Sequence, residues 1–263
     1  MTVVSLAPPP RLYARHAAAA DRAAWSVERD IRWADLDLTA ASAEGELHAK
    51  LRDAALIESF HPVNLGQLLR LLLDDVDAGA VFALEMYEGF KHFHALRWYL
   101  DAIGYRPAIG DDELRELRRA EAGRDLDPAD EIGPLVEFML SEHLAVYFFR
   151  RLGEQTREPV LRELMARIAS DEVRHAQGAS DLIAKRTAAD PERAARVLEA
   201  AVQFHHFGER VVGTLPVAMA NDELALRTFA TRIERLCGVR LVDHLKATLD
   251  ADVASPAPAL PSR

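Results

Sequence analysis

Apolar residues recur along this chain at steps of three and four over long stretches and seldom alternate. That is the period of helices with one buried face, not of strands. A first helix is expected from Glu46 to about Leu73, on the stripe Leu47, Leu51, Ala55, Glu58, Leu65, Leu69 and Leu72. Pro62 lies inside it, and its ring opposes the carbonyl of Glu58, so a bend is expected there. Asp74 to Asp77 make the turn into a second helix over about Ala78–Ile103, closed by Gly104. A third covers about Asp130–Leu152 and is ended by Gly153; a fourth runs from Glu158 to Lys185. The crossover from Tyr105 to Asp127 carries a short charged helix near Asp111–Ala122. A fifth helix spans Pro191 to Val212, with the proline suited to a first turn. A sixth spans Asn221 to Ala251, interrupted near Gly238.

The ends read differently. Residues 1–44 form an arm: Pro8-Pro9-Pro10 stops any helix, a short one fits Ala17–Trp25, and Trp25 and Trp33 are anchors expected on the outside of the core. Residues 45–250 form the main helical domain, and the Pro-rich residues 251–263 form a disordered tail.

Composition narrows the class without changing it. Ala, Leu, Arg, Glu and Asp dominate, which with the helical period makes the chain all-α. The formal net charge of -10 argues against a nucleic-acid partner, which would need a basic face. The single cysteine, Cys237, excludes a disulfide framework and Cys-rich metal sites. No apolar run of about 18 residues stands out, so no membrane span is expected. The N-terminus lacks a signal peptide, and a cytoplasmic location follows by default.

The informative positions are the polar exceptions on the apolar stripes. Glu58 stands alone on the first helix and Glu142 alone on the third. The second carries Glu85, Glu88 and His92, and the fourth carries Glu172 and His175 within Asp171-Glu172-Val173-Arg174-His175. Glu58 and Glu88 lie 30 residues apart, as do Glu142 and Glu172, so each hairpin can set its two glutamates at matching depth. Buried carboxylates are costly unless compensated, and a pair of multivalent cations compensates four of them. Carboxylate and imidazole ligands suit iron or manganese.

On these residues the chain resembles the ferritin-like di-iron carboxylate superfamily, which takes one Glu from each of two helices and a Glu-x-x-His from each of the other two. The resemblance covers about residues 45–186. It implies a ferritin-like four-helix bundle with a long crossover, here extended by the arm and two C-terminal helices. It implies metal ligands Glu58, Glu88, His92, Glu142, Glu172 and His175. The second helix departs from the pattern: it reads Glu88-Gly89-Phe90-Lys91-His92, with the histidine one residue late. Glu85 is a further ligand or a base beside the metal, and His94 an outer group. His205, on a stripe with Glu209, is a candidate extra ligand. His61 follows Glu58 at Glu-x-x-His spacing, but Pro62 disturbs the helix there and His61 is placed behind the ligands. Arg174 is expected to pair with a carboxylate, and Asp171 to accept a ring N–H from a ligating histidine.

The resemblance implies an O2-activating non-haem di-iron oxidase or oxygenase acting on a small organic or carrier-linked substrate, by desaturation, hydroxylation or N-oxygenation. The nearest styles are acyl-carrier desaturases, through Lys91-His92 and Trp98-Tyr99-Leu100, and arylamine N-oxygenases, through the Trp-bearing arm with Asp30-Ile31 and Trp33. Two iron ions are implied, with a manganese–iron pair as the variant. A ferredoxin-type donor would supply electrons, since no flavin or cluster motif is present, and a homodimer is expected. Three alternatives remain: iron oxidation or peroxide removal in the manner of ferritin and rubrerythrin, a transfer-RNA hydroxylase, and a metal-free scaffold. The acidic balance weighs against the second, and Lys91 three residues after Glu88 is the one hint of the third.

Overall fold

The computed structural model describes residues 11–121, 126–190, 192–213, 223–244 and 246. These residues are helical and contain no strand. In chain order the helices are α1 (Leu12–Ala23), α2 (Leu38–Ser42), α3 (Gly45–Glu58), α4 (His61–Leu71), α5 (Val76–Ala102), α6 (Asp111–Glu121), α7 (Ile132–Gln155), α8 (Pro159–Ala189), α9 (Glu192–Val202), α10 (Glu209–Val212) and α11 (Glu223–Cys237). Two hairpins make the centre. In one, α3 and α4 pack on α5; in the other, α7 packs on α8. They meet where α5 lies on α8, and α9 and α11 cover α7 and α8.

The first expected helix is two. Ser59 and Phe60 separate α3 from α4, and Pro62 falls in the first turn of α4. Proline has no N–H for the Glu58 carbonyl. His61 takes over, its Nδ1–H donating to that carbonyl at 3.1 Å. The break therefore aims a histidine rather than merely bending a rod.

Three other boundaries differ for visible reasons. Helix α7 runs through Gly153 to Gln155. A Cβ at Gly153 would stand 3.1 Å from the Met165 Cβ, so this glycine permits the close approach of α7 and α8 instead of ending a helix. The expected fifth helix is split into α9 and α10, because Gln203–Gly208 turns inward and buries His206 and Phe207. Helix α11 stops at Gly238, whose φ of 70° suits glycine. The expected continuation past residue 246, the tail 251–263 and Pro8-Pro9-Pro10 lie outside the described residues. In the arm, α1 begins at Leu12, earlier than the sequence suggested.

The arm is tied to the core through buried polar groups. Trp25, expected on the outside, is only 6% exposed, and its Nε1–H donates to Asp171 at 2.8 Å. Trp33 stacks on Trp98 at 5.1 Å. Arg15 and His16 pair with Asp181 of α8. Helix α7 meets the length and apolarity of a membrane span by composition alone, which the sequence reading did not anticipate. Of that apolar window 78% is buried. The apolar core falls into two clusters: one around Leu96, Tyr99, Leu161 and Ile168, the other around Val81, Phe82, Met139 and Leu182. On α5, α7 and α8 the stretches between them hold the ionisable residues.

Glu158 shows how much one cap carries. It is fully buried and accepts from the N–H groups of Val160 and Leu161, at 3.1 and 2.6 Å, and of Asp37, at 3.1 Å. It thus starts α8 and fastens the arm. Glu158→Ala is expected to lower the unfolding free energy by about 2–4 kcal/mol, read from urea denaturation, with Glu158→Gln retaining part of the loss.

Candidate metal centre

Between the two apolar clusters lies a buried layer of carboxylates and imidazoles. Glu58, His92 and Glu172 form one group, and His61, Glu142 and His175 form a second, each with ligand atoms within 4.8 Å of one another. All six side chains are buried. The groups adjoin, since Glu172 Oε2 lies 2.9 Å from His175 Nδ1. Either group could hold a metal ion.

Each histidine has its outer nitrogen occupied. His61 Nδ1 donates to the Glu58 carbonyl. His92 Nε2 donates to Asp171 at 3.0 Å, and His175 Nε2 donates to Glu88 at 3.0 Å. A carbonyl or carboxylate only accepts, so these contacts fix the ring protons on the outer nitrogens and turn the inner lone pairs toward the carboxylates. His92 Nδ1 sits 2.9 Å from Glu172 Oε1 and 3.4 Å from Glu58 Oε2. His61 Nε2 faces Glu142 at 3.6 Å, and His175 Nδ1 faces it at 3.5 Å.

Several of these inner atoms lack hydrogen-bond partners. Glu58 Oε2, Glu172 Oε1, His61 Nε2 and His92 Nδ1 are buried with none among the described residues. Stranded buried acceptors are rare because they are costly. With neutral imidazoles the layer holds three carboxylates facing three lone pairs. Two divalent cations would satisfy both, so the donor set fits a pair of metal ions.

Five of the six expected ligands come together here: Glu58, His92, Glu142, Glu172 and His175. Glu88 stands outside both groups. Its Oε2 holds the outer nitrogen of His175, and its Oε1 accepts from Arg174 at 2.6 Å. Arg174 also bonds Asp171 at 2.7 Å, and Lys91 approaches Asp171 at 2.9 Å while lying 4.4 Å over the Trp25 ring. Thus two cations balance the two outer carboxylates. Asp171 receives the ring N–H of His92, as its place beside Glu172 suggested. Glu85 is buried, outside both groups, and desolvation raises its pKa well above the usual range. His94 is at the surface beside Glu28. His205 is exposed and 3.6 Å from Glu209, while its neighbour His206 is the buried one.

His61 sits inside the ligand layer, where sequence reasoning had set it behind. Two signals pointed to it: the Glu58-x-x-His61 spacing, and Gly89. A Cβ at Gly89 would stand 2.3 Å from His61 Cγ, so only a glycine on α5 leaves room for that ring. His206 carried no signal, because it depends on the break after α9. Burial holds its pKa down to about 4.

A narrow cavity of about 20 Å³, room for little more than a water, lies between α3 and α7 and reaches Glu58 and Glu142. Ile57, Phe148, Phe149 and Phe207 line it. In comparisons with known proteins, no protein-family model and no curated protein matches the chain.

Without metal the layer must neutralise itself. Burial alone would discharge His61, but the charge of Glu58, helped by Glu142, outweighs it and lifts the pKa to about 9. His92 and His175 are lifted well above their usual value against the same desolvation, chiefly by Glu172. Burial pushes Glu172 up, but the His175 charge wins and draws it down to about 2. A raised histidine pKa stabilises the fold below the unfolded value near ~6.5, and that contribution is lost as pH rises through the folded value. Metal-free protein should therefore lose about 5 °C or more of melting temperature between pH ~6 and pH ~9.5, in calorimetry with chelator. Saturating metal should flatten that slope, because the ions replace the protons.

Gly89→Ala tests His61 directly. The added methyl should expel the ring and reduce bound metal from about two ions per chain to about one, with helical circular dichroism retained. Retention of two ions would remove His61 from the ligand set.

Proposed function

We propose that this chain is an O2-activating di-iron oxidase or oxygenase of the ferritin-like kind, acting on a small organic substrate. The observation that carries the reading is the layer of six buried donors, with a small aromatic-walled cavity reaching two of them. The two hairpins with a crossover helix between them agree with a ferritin-like bundle. Three carboxylates and three imidazoles suit iron, and manganese in one position is compatible with the same donors.

A bound iron pair would supply O2 activation and oxidising equivalents. The rest falls to side chains described above. Glu58 and Glu172 would hold one ion with His92, and Glu142 would hold the other with His61 and His175. Asp171 and Glu88 keep both outer ring protons in place, so the inner nitrogens stay available. Arg174 and Lys91 fix those two carboxylates in turn. Phe148, Phe149 and Phe207 give the approach to Glu58 and Glu142 an apolar wall. Electrons would come from a separate donor of the ferredoxin type, and dimerisation and a cytoplasmic location belong to the same proposal.

The test starts from metal. Protein loaded anaerobically with Fe(II) should hold about two irons per chain, and Glu172→Ala about one or fewer. On admitting O2, an oxidase of this kind consumes oxygen in step with an organic product. Repeated Fe(II) turnover without organic product would instead assign it to iron oxidation. Failure of the wild type to bind metal would leave a helical scaffold.

A further inference from the structure

We propose that the open groove between α5 and α6 is a binding site for a medium-chain aliphatic carboxylate. Arg119 takes the carboxylate, and Val63, Phe90, Phe93 and Leu114 take the chain. None of the six residues of the buried layer lines this groove, so the assignment stands apart from the di-metal reading.

Room is the first requirement. The groove offers about 520 Å³, its surface is mostly apolar, and α4, α5 and α6 supply it. Helix α6 is anchored at both ends. Asp111 pairs with Arg97 of α5 at 2.9 Å, and Arg118 donates to the Ser59 carbonyl, just before α4, at 2.8 Å. From Asp111 to Arg119 the helical rise gives about 12 Å, the extended length of about ten carbons. Phe93 and Leu114 are buried in the floor, whereas Phe90 is 50% exposed and forms the rim.

Charge sets the sign and the orientation of the ligand. Arg97, Arg115, Arg118 and Arg119 line the groove against one acid, Asp111, in a chain of net charge -10. Helical period sorts α6 in this way: Leu114, Arg115, Arg118 and Arg119 share the lining face, while Glu113 and Glu116 stand off it, and Glu113 is bonded to Arg52 at 2.7 Å. Three of the four arginines are engaged. Arg97 is paired with Asp111, Arg115 with Asp112, and Arg118 with the Ser59 carbonyl. Arg119 is exposed and has no hydrogen bond or ion pair among the described residues. One free guanidinium matches one carboxylate, which it grips through two parallel hydrogen bonds. A doubly charged phosphate would ask for a second uncommitted cation. The Arg97–Asp111 end compensates itself, so the headgroup lies at the Arg119 end and the chain runs toward Arg97.

Three probes separate these elements: decanoate, decylammonium and butanoate. Binding is measured by calorimetry on the full chain near neutral pH. Decanoate should bind saturably, about tenfold tighter than decylammonium through its charge and about thirtyfold tighter than butanoate through its chain. Arg119→Gln should weaken decanoate about tenfold and leave decylammonium unchanged. Phe90→Ala should weaken both ten-carbon probes alike, by about fivefold. Neither side chain is buried, so both variants should keep the melting temperature of the wild type. The proposal is overturned if decylammonium or butanoate binds as tightly as decanoate, or if neither substitution weakens decanoate. Cosedimentation with phosphatidylglycerol vesicles without saturable decanoate binding would assign the basic groove to a membrane surface and overturn it as well.

Discussion

Burying charge is the constraint on which this structure depends. Glu58, Glu142 and Glu172 stand in one buried layer, and among the described residues no lysine or arginine forms an ion pair with any of them. Isolated carboxylates there would cost several kcal/mol each. Three imidazoles face them, protonated when metal is absent and free to ligate when it is present. The same six groups would therefore be balanced by protons or, if metal is bound, by cations. Burial is what makes the choice consequential, because in water neither arrangement would hold its geometry.

That geometry is set one layer further out. Each histidine is pinned by an acceptor from a different source: a carbonyl released by Pro62, Asp171 from α8, and Glu88 from α5. The outer carboxylates are themselves held by Arg174 and Lys91, and Asp171 also by the Trp25 N–H from the arm. An arm that seemed an accessory in sequence thus takes part in orienting His92. The two apolar clusters on either side supply the burial stabilisation that such a polar layer consumes.

Much of this was legible because helical period is a strong signal. A glutamate on a leucine stripe cannot face solvent without turning the stripe outward, so Glu58, Glu142, Glu172 and His175 could be placed from spacing alone. What escaped depended on tertiary fit. Glu88 looked like a ligand because Glu-x-x-His is the regular grammar, but here the third position is Lys91 and the histidine comes one residue later. The ring of His92 then reaches the layer, while Glu88 lies behind His175. His61 was undervalued because a proline beside it suggests disorder of the helix. In the fold the proline frees the carbonyl that orients it, and Gly89 vacates the space it fills. His206 could not be read at all, since an uninterrupted fifth helix was the simplest expectation and only its break turns that side chain inward.

The asymmetry of the centre has a functional reading. Asp171 and Glu88 play matching parts behind His92 and His175, and both share Arg174. His61 differs: its outer partner is a neutral backbone carbonyl at a helix break, so nothing behind it strengthens its basicity as a carboxylate does. It is also the histidine seated on α4, beside the gap where the chain passes from α3. If one ligand of this centre yields to an incoming group, His61 has the weakest support, and its partner Glu142 forms part of the cavity floor. If ions are bound, one held by His61, Glu142 and His175 and one held by Glu58, His92 and Glu172 would each reach the cavity through a single carboxylate, Glu142 and Glu58, and the second would also lie next to the charged cluster of Asp171, Arg174 and Lys91.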